Sequence, residues 1–184
     1  MSGQGDVTRR GRSIGLALSC MAAACLAVGA ASADDRGADR AERPTPSGMP
    51  VPRYVVLKFG EVNARAGPGD DHRLLWVYRV RDLPVQVVAE TAEWRRVCDP
   101  EGGLAWVHRR TTDGKLMVMN RGAAPVAVFR SREPGAHQVA NLSPRSLASL
   151  VRCEGDWCHI RADGVSGWAR AAELWGTAQT PQCR

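Results

Sequence analysis

Lysine is almost missing from this chain: Lys58 and Lys115 stand alone among 25 basic residues, so its positive charge is arginine. The net charge of +6 is modest, and neither its size nor its spread is the footprint of a nucleic-acid binder. No glycine-rich phosphate loop, no Cys-x-x-Cys and no His-x-x-x-His occurs. His72, His108, His137 and His159 are scattered, and Cys153-x₄-Cys158-His159 is a poor zinc site because a tetrahedral site needs four converging ligands. Cys158 and His159 are adjacent, so on a strand they face opposite sides and cannot work as nucleophile and base. Paired acid and base carboxylates and a Ser/His/Asp arrangement are also lacking. These absences predict no metal, no cofactor and no catalytic residue.

The N-terminus is built for export. Arg9, Arg10 and Arg12 precede an uncharged, Ala- and Leu-rich run from Ile14 to Ala30, and Ala31-Ser32-Ala33 is an A-x-A cleavage site. The prediction is a signal peptide over residues 1–33, with the mature chain beginning at Asp34 in the periplasm or outside the cell. Two variants fit less well: a twin-arginine signal lacks bulky apolar residues at Arg12 and Ser13, and acylation at Cys25 lacks a Leu at Ala22. Residues 34–52 carry charge, Pro and Gly with few bulky apolar groups, the composition of a disordered linker.

Beyond that linker the chain repeats itself. Arg65 matches Arg130, Trp94 matches Trp157 and Trp106 matches Trp168, at offsets of 65, 63 and 62. Self-similarity at a period near sixty residues means two small units of one architecture. Each is too short to house an enzyme domain, a further argument against catalysis. Within them, short runs rich in β-branched and aromatic residues are divided by Gly67-Pro68-Gly69-Asp70, Pro100-Glu101-Gly102-Gly103, Pro134-Gly135 and Asp163-Gly164. Such turns tolerate φ > 0. Val85, Val87 and Ala89 alternate with Gln86, Val88 and Glu90, the pattern of a half-buried strand. An all-β fold of small barrels or sandwiches follows.

The order VNARAGPGDDHRLLWVY, LPVQVVAE, EWRRV and GLAWVH, then Trp157-Cys158, Gly167-Trp168 and Leu174-Trp175-Gly176, resembles the exported tandem type of bacterial SH3-like domains. The likeness covers about residues 53–176. It implies two tandem small SH3-like β-barrels, one over 53–120 and one over 122–176, followed by a tail at 177–184. Ala105 where the family has Gly, and Cys98 within the first repeat, are departures. The family carries no catalytic residues. The implied role is non-catalytic binding in the cell envelope, with peptidoglycan stem peptide or an extended protein segment as ligand. The alternative is a structural or regulatory subunit docked on a periplasmic cell-wall enzyme. Nucleic acid and stable membrane insertion after cleavage are not expected.

Aromatic rings in units this small serve first as core. Trp76 and Tyr78, at i and i+2 on one strand face, are the groove candidates, beside the turn carrying Gly67, Gly69 and Asp70. Arg65 and Arg95 would supply a cationic rim for carboxylates. Four cysteines follow the signal segment, an even number that reads as disulfides in an exported chain. At the offset of 63, Cys153 and Cys158 align with Glu90 and Arg95, each pair flanking a four-residue connection. If both are hairpins, the flanking residues face each other, giving a disulfide in one unit and an exposed ion pair in the other. Cys98 and Cys183 remain to pair, although nothing local positions Cys183.

Overall fold

The computed structural model describes residues 45–183. The signal segment over 1–33, Cys25 and residues 34–44 of the linker lie outside the described residues. Among those described there is no α-helix, and helical turns are confined to the 3-10 segments Arg109–Thr111 and Ala171–Glu173. Strands β1 (Arg53–Leu57), β2 (Val62–Arg65), β3 (Leu74–Tyr78), β4 (Pro84–Glu90), β5 (Trp94–Cys98), β6 (Leu104–His108) and β7 (Thr112–Asp113) form one sheet in the order β3-β2-β6-β5-β4-β1-β7. Strands β8 (Met117–Met119), β9 (Val126–Phe129), β10 (Gln138–Leu142), β11 (Leu147–Glu154), β12 (Trp157–Ala162) and β13 (Val165–Arg170) form the second, in the order β10-β9-β13-β12-β11-β8.

The fold is therefore two tandem SH3-like domains. Neither ladder closes as a full barrel: no pairing among the described residues joins β3 to β7 or β10 to β8. Each sheet curves around its own core with the help of register shifts. One falls between Val87 and Ala89 opposite β5, another between Leu150 and Arg152 opposite β12. A bulge bends its strand and sharpens the local twist.

The repeat extends to individual hydrogen bonds. Leu57 receives a bond from the Asp82 amide and gives one to Leu83, while Asn120, at an offset of 63, does the same with Arg145 and Ser146. Asp82 and Arg145 both sit at positive φ (59° and 63°). One expected match was off by a residue. Arg65 faces Trp106, and the residue facing Trp168 is Phe129, so Arg130 is not the counterpart of Arg65.

The second sheet reaches back across the expected boundary at 120. β8 pairs with β11 as β1 pairs with β4, so the second sheet takes its first strand from Met117–Met119, within the span expected for the first domain. Three residues of Met-Val-Met carry too little alternation to announce a strand. The linker ends sooner than expected, since residues 45–52 dock on the first domain: Ser47 donates to Glu90, and Arg53 Nη1 donates to the Pro50 carbonyl at 3.2 Å.

The tail is no loose end. Gln86, expected on a solvent-facing side, is fully buried because the tail covers it. Its Nε2 donates to the Thr180 carbonyl at 2.9 Å, and its Oε1 accepts from the Gln182 amide at 2.9 Å. The Trp175 indole donates to the Pro84 carbonyl at 2.8 Å, and both Trp175 and Met119 join the first domain's core.

Candidate functional site

The predicted site residues separate into three places. Trp76 and Tyr78 do share a strand face, with their rings edge to face at 5.9 Å. That face looks inward, however. Tyr78 is 8% exposed and its hydroxyl donates to Asp99 Oδ2 at 3.0 Å. Burial, followed by the Asp99 carboxylate, pushes the Tyr78 phenol far above its ordinary range. Trp76 is half-buried and packs on the same core. These two rings are core, not groove.

Arg65, Gly67, Gly69 and Asp70 lie together at the β2–β3 turn. Arg65 Nη1 donates to the His72 carbonyl at 2.9 Å, and its Nη2 lies 3.5 Å from Asp70. Neither glycine adopts positive φ. They are needed for close approach: a Cβ on Gly67 would sit 2.6 Å from the His72 ring, and one on Gly69 2.4 Å from the Asp71 carboxylate. Arg65 and Asp70 border a small polar recess of about 310 Å³ with Trp94 and His108.

Arg95 lines a cleft of about 810 Å³ whose walls come from both domains. The predicted hairpins position it. Glu90 faces Arg95 across β4 and β5, and Cys153 faces Cys158 across β11 and β12. Cys153–Cys158 is a disulfide with Cα atoms 4.0 Å apart, so Cys158 offers no free thiol beside His159. The matching ion pair is not exposed as expected. The Glu90 side chain is 1% exposed, because residues 45–52 cover it, and it lies 2.5 Å from Arg53 Nη2 and 3.6 Å from Arg95 Nε. Burial pushes the Glu90 carboxyl up, but hydrogen bonds from Ser47, Arg53 and Thr45 outweigh it and hold the group at about 2.

Around this carboxylate the cleft is cationic. Arg53 and Arg95 rise from its floor, Arg109 from the first domain's 3-10 turn and Arg152 from β11 of the second. Tyr54 lines it too, its phenol raised by burial to about 12 against the lowering effects of the Gly176 and Ala178 backbone and of Arg121. Met49 and Leu116, 52% and 53% exposed, stand as apolar lips at its edge. Sequence reading found Arg95 but missed the rest, because the cleft forms only when lead-in, tail and both domains meet. The excess of arginine was the one visible signal.

The second domain carries a separate aromatic surface. Arg132 and Arg152 cover the Trp168 ring at 4.7 and 5.1 Å, and Arg170 lies 4.0 Å from the centre of Trp157. These stacks bury Trp168 to 9% exposure, leaving structural rings under a charged cover.

Residues 58–114 and 122–176 each match the family described as bacterial SH3 domain. Among solved structures the chain is similar to NlpC2 from Trichomonas vaginalis, at 11% identity and a TM-score of 0.32, over 68% of this chain and 48% of that one. It is similar also to NlpC1 from the same organism, at 12% identity and a TM-score of 0.32, over 67% and 45%. The chain thus spans about half the length of these structures. Among curated proteins no match was found.

Proposed function

The chain belongs to the bacterial SH3 domain family, and from that premise we propose that it is a non-catalytic binding protein of the cell envelope. Its ligand is an extended chain, a peptidoglycan stem peptide or a protein segment, laid in the cleft between the two domains. The observation that carries this reading is the shared cleft itself, with exposed Met49 and Leu116 at its edge. A concavity with an apolar lining and a few convergent polar groups is where ligands are usually held. Cys98–Cys183 and Cys153–Cys158 support an oxidising compartment, periplasmic or extracellular. No helix among the described residues is long and apolar enough to cross a membrane.

Sedimentation with purified sacculi tests the proposal. The oxidised protein should pellet with sacculi, and Leu116→Asp should return it to the supernatant while leaving the fold intact. If the wild-type protein stays soluble and instead co-purifies with a single enzyme, the docking-subunit reading replaces it.

A further inference from the structure

We infer that the cleft reads carboxylates: Arg109 and Arg152, one from each domain, grip the acidic groups of an extended peptide whose apolar part lies over Met49 and Leu116. The inference rests on the binding role proposed above and gives that role a ligand chemistry.

The argument begins with unbalanced charge. Arg53 and Arg95 share a single carboxylate, Glu90. Arg132 and Arg152 share another, Glu154, at 2.7 and 2.6 Å. No carboxylate among the described residues lies within salt-bridge distance of Arg109, which is exposed on the cleft wall. Arg53, Arg95, Arg109 and Arg152 all line the cleft and only Glu90 and Glu154 answer them, so positive charge is in excess there. Its effect is felt at Arg95, whose ionisation is weakened by burial first and then by repulsion from Arg53, with Arg109 adding to it. Cations crowded in this way are stabilised by an incoming anion.

Unmet hydrogen-bonding capacity falls in the same place. Arg53 Nε is buried without a hydrogen-bond partner among the described residues, and its side chain lines the cleft. The Arg53 side chain is only 9% exposed. Buried donors without acceptors are costly and uncommon in native folds. Here the Arg53 donor belongs to a residue of the cleft lining, where a ligand would supply the acceptor.

The lining also selects among anions. Met49, Pro50, Leu116 and Leu150 give the cleft an apolar side, which suits a peptide with charges at intervals and not a polymer charged at every unit. Arg109 and Arg152 come from different domains, so neither domain alone holds the complete site.

The test compares soluble disaccharide-peptides released from sacculi with the same molecules after their carboxyls are converted to amides, each titrated calorimetrically into the oxidised chain. Free acids should bind about tenfold more tightly than amides, the difference carried by a charge-assisted pair. Arg109→Gln with Arg152→Gln should abolish that preference, Arg109→Gln alone should weaken it without moving the thermal midpoint, and Arg109→Lys with Arg152→Lys should retain part of it. Equal binding of acid and amide overturns the carboxylate reading while leaving the protein an envelope binder. Failure of both forms to bind overturns it too, and sedimentation with sacculi then decides whether the broader role survives. Tighter binding of poly(glycerol phosphate) than of the acid peptides overturns it in favour of a polyanion.

Discussion

Glu90 holds two buried guanidinium groups and the start of the described chain at once. Replacing it with Gln leaves Arg53 and Arg95 facing each other with no counter-charge, and breaking a buried pair in this way costs about 3–5 kcal/mol. The acid profile gives an independent check. A carboxyl depressed to about 2 from 4.5 contributes stability that is complete above pH 4.5 and lost as pH falls through 2. Denaturation of the wild type should therefore steepen across that window, whereas Glu90→Gln should be less stable at neutral pH and lack that part of the slope. Tyr78 gives a second residue-level prediction. Tyr78→Phe removes one bond from Asp99, which still accepts from the Glu101 and Gly103 amides, and should cost about 1.5–3 kcal/mol. Tyr78→Ala should cost about 3–5 kcal/mol through the cavity it leaves. A groove residue would shift stability by no more than about 0.5 kcal/mol, so denaturant midpoints decide between the two placements. The sequence alone could not. Spacing at i and i+2 puts two rings on one face but does not say which side of the sheet that face is on.

Among the elements, hairpins were the most legible. A four-residue connection flanked by matched pairs fixes its own register, so β4–β5 and β11–β12 were readable from local spacing. β8 was not, since its identity depends on pairing with β11, thirty residues away in sequence. The role of Gln86 was hidden for a related reason: alternation reports one buried face and cannot report a tail that covers the other. A prediction at this scale comes from the slot shared by Ala105 in β6 and Gly167 in β13, which face Val97 and Ile160 at corresponding registers. A Cβ on Gly167 would stand 2.6 Å from the Phe129 carbonyl and 2.8 Å from Val128 Cγ1. Backbone cannot yield as a side-chain tip can. Gly167→Ala should push β13 from β9 and cost about 1–3 kcal/mol. Amide exchange should then rise at Val128–Phe129 and not at Val62–Arg65, where the first domain already accommodates Ala105.

At the scale of the whole molecule, the two disulfides differ in reach. Cys153–Cys158 spans 5 residues and Cys98–Cys183 spans 85. In the chain-entropy treatment the short loop contributes roughly 2 kcal/mol and the long one roughly 4–5. Cys98→Ser with Cys183→Ser should therefore lower stability more than Cys153→Ser with Cys158→Ser, by about 2 kcal/mol in denaturant titrations. Parity of cysteines made both bridges arithmetically possible in sequence. Only the course of the tail over Gln86 brings Cys183 to Cys98, with Cα atoms 5.7 Å apart.

The long bridge also decides how the protein carries tension. Both ends of the described chain are anchored to the first domain, Ser47 on Glu90 and Cys183 on Cys98. Everything between Cys98 and Cys183, the whole second domain included, lies inside a covalently closed loop. A pull applied at the two ends passes through the sulfur atoms and bypasses that domain. Stretched singly in an optical trap, the oxidised protein should keep its second domain folded at forces that open the first. Reduction should release the 85-residue separation, lengthening the fully extended chain by about 300 Å.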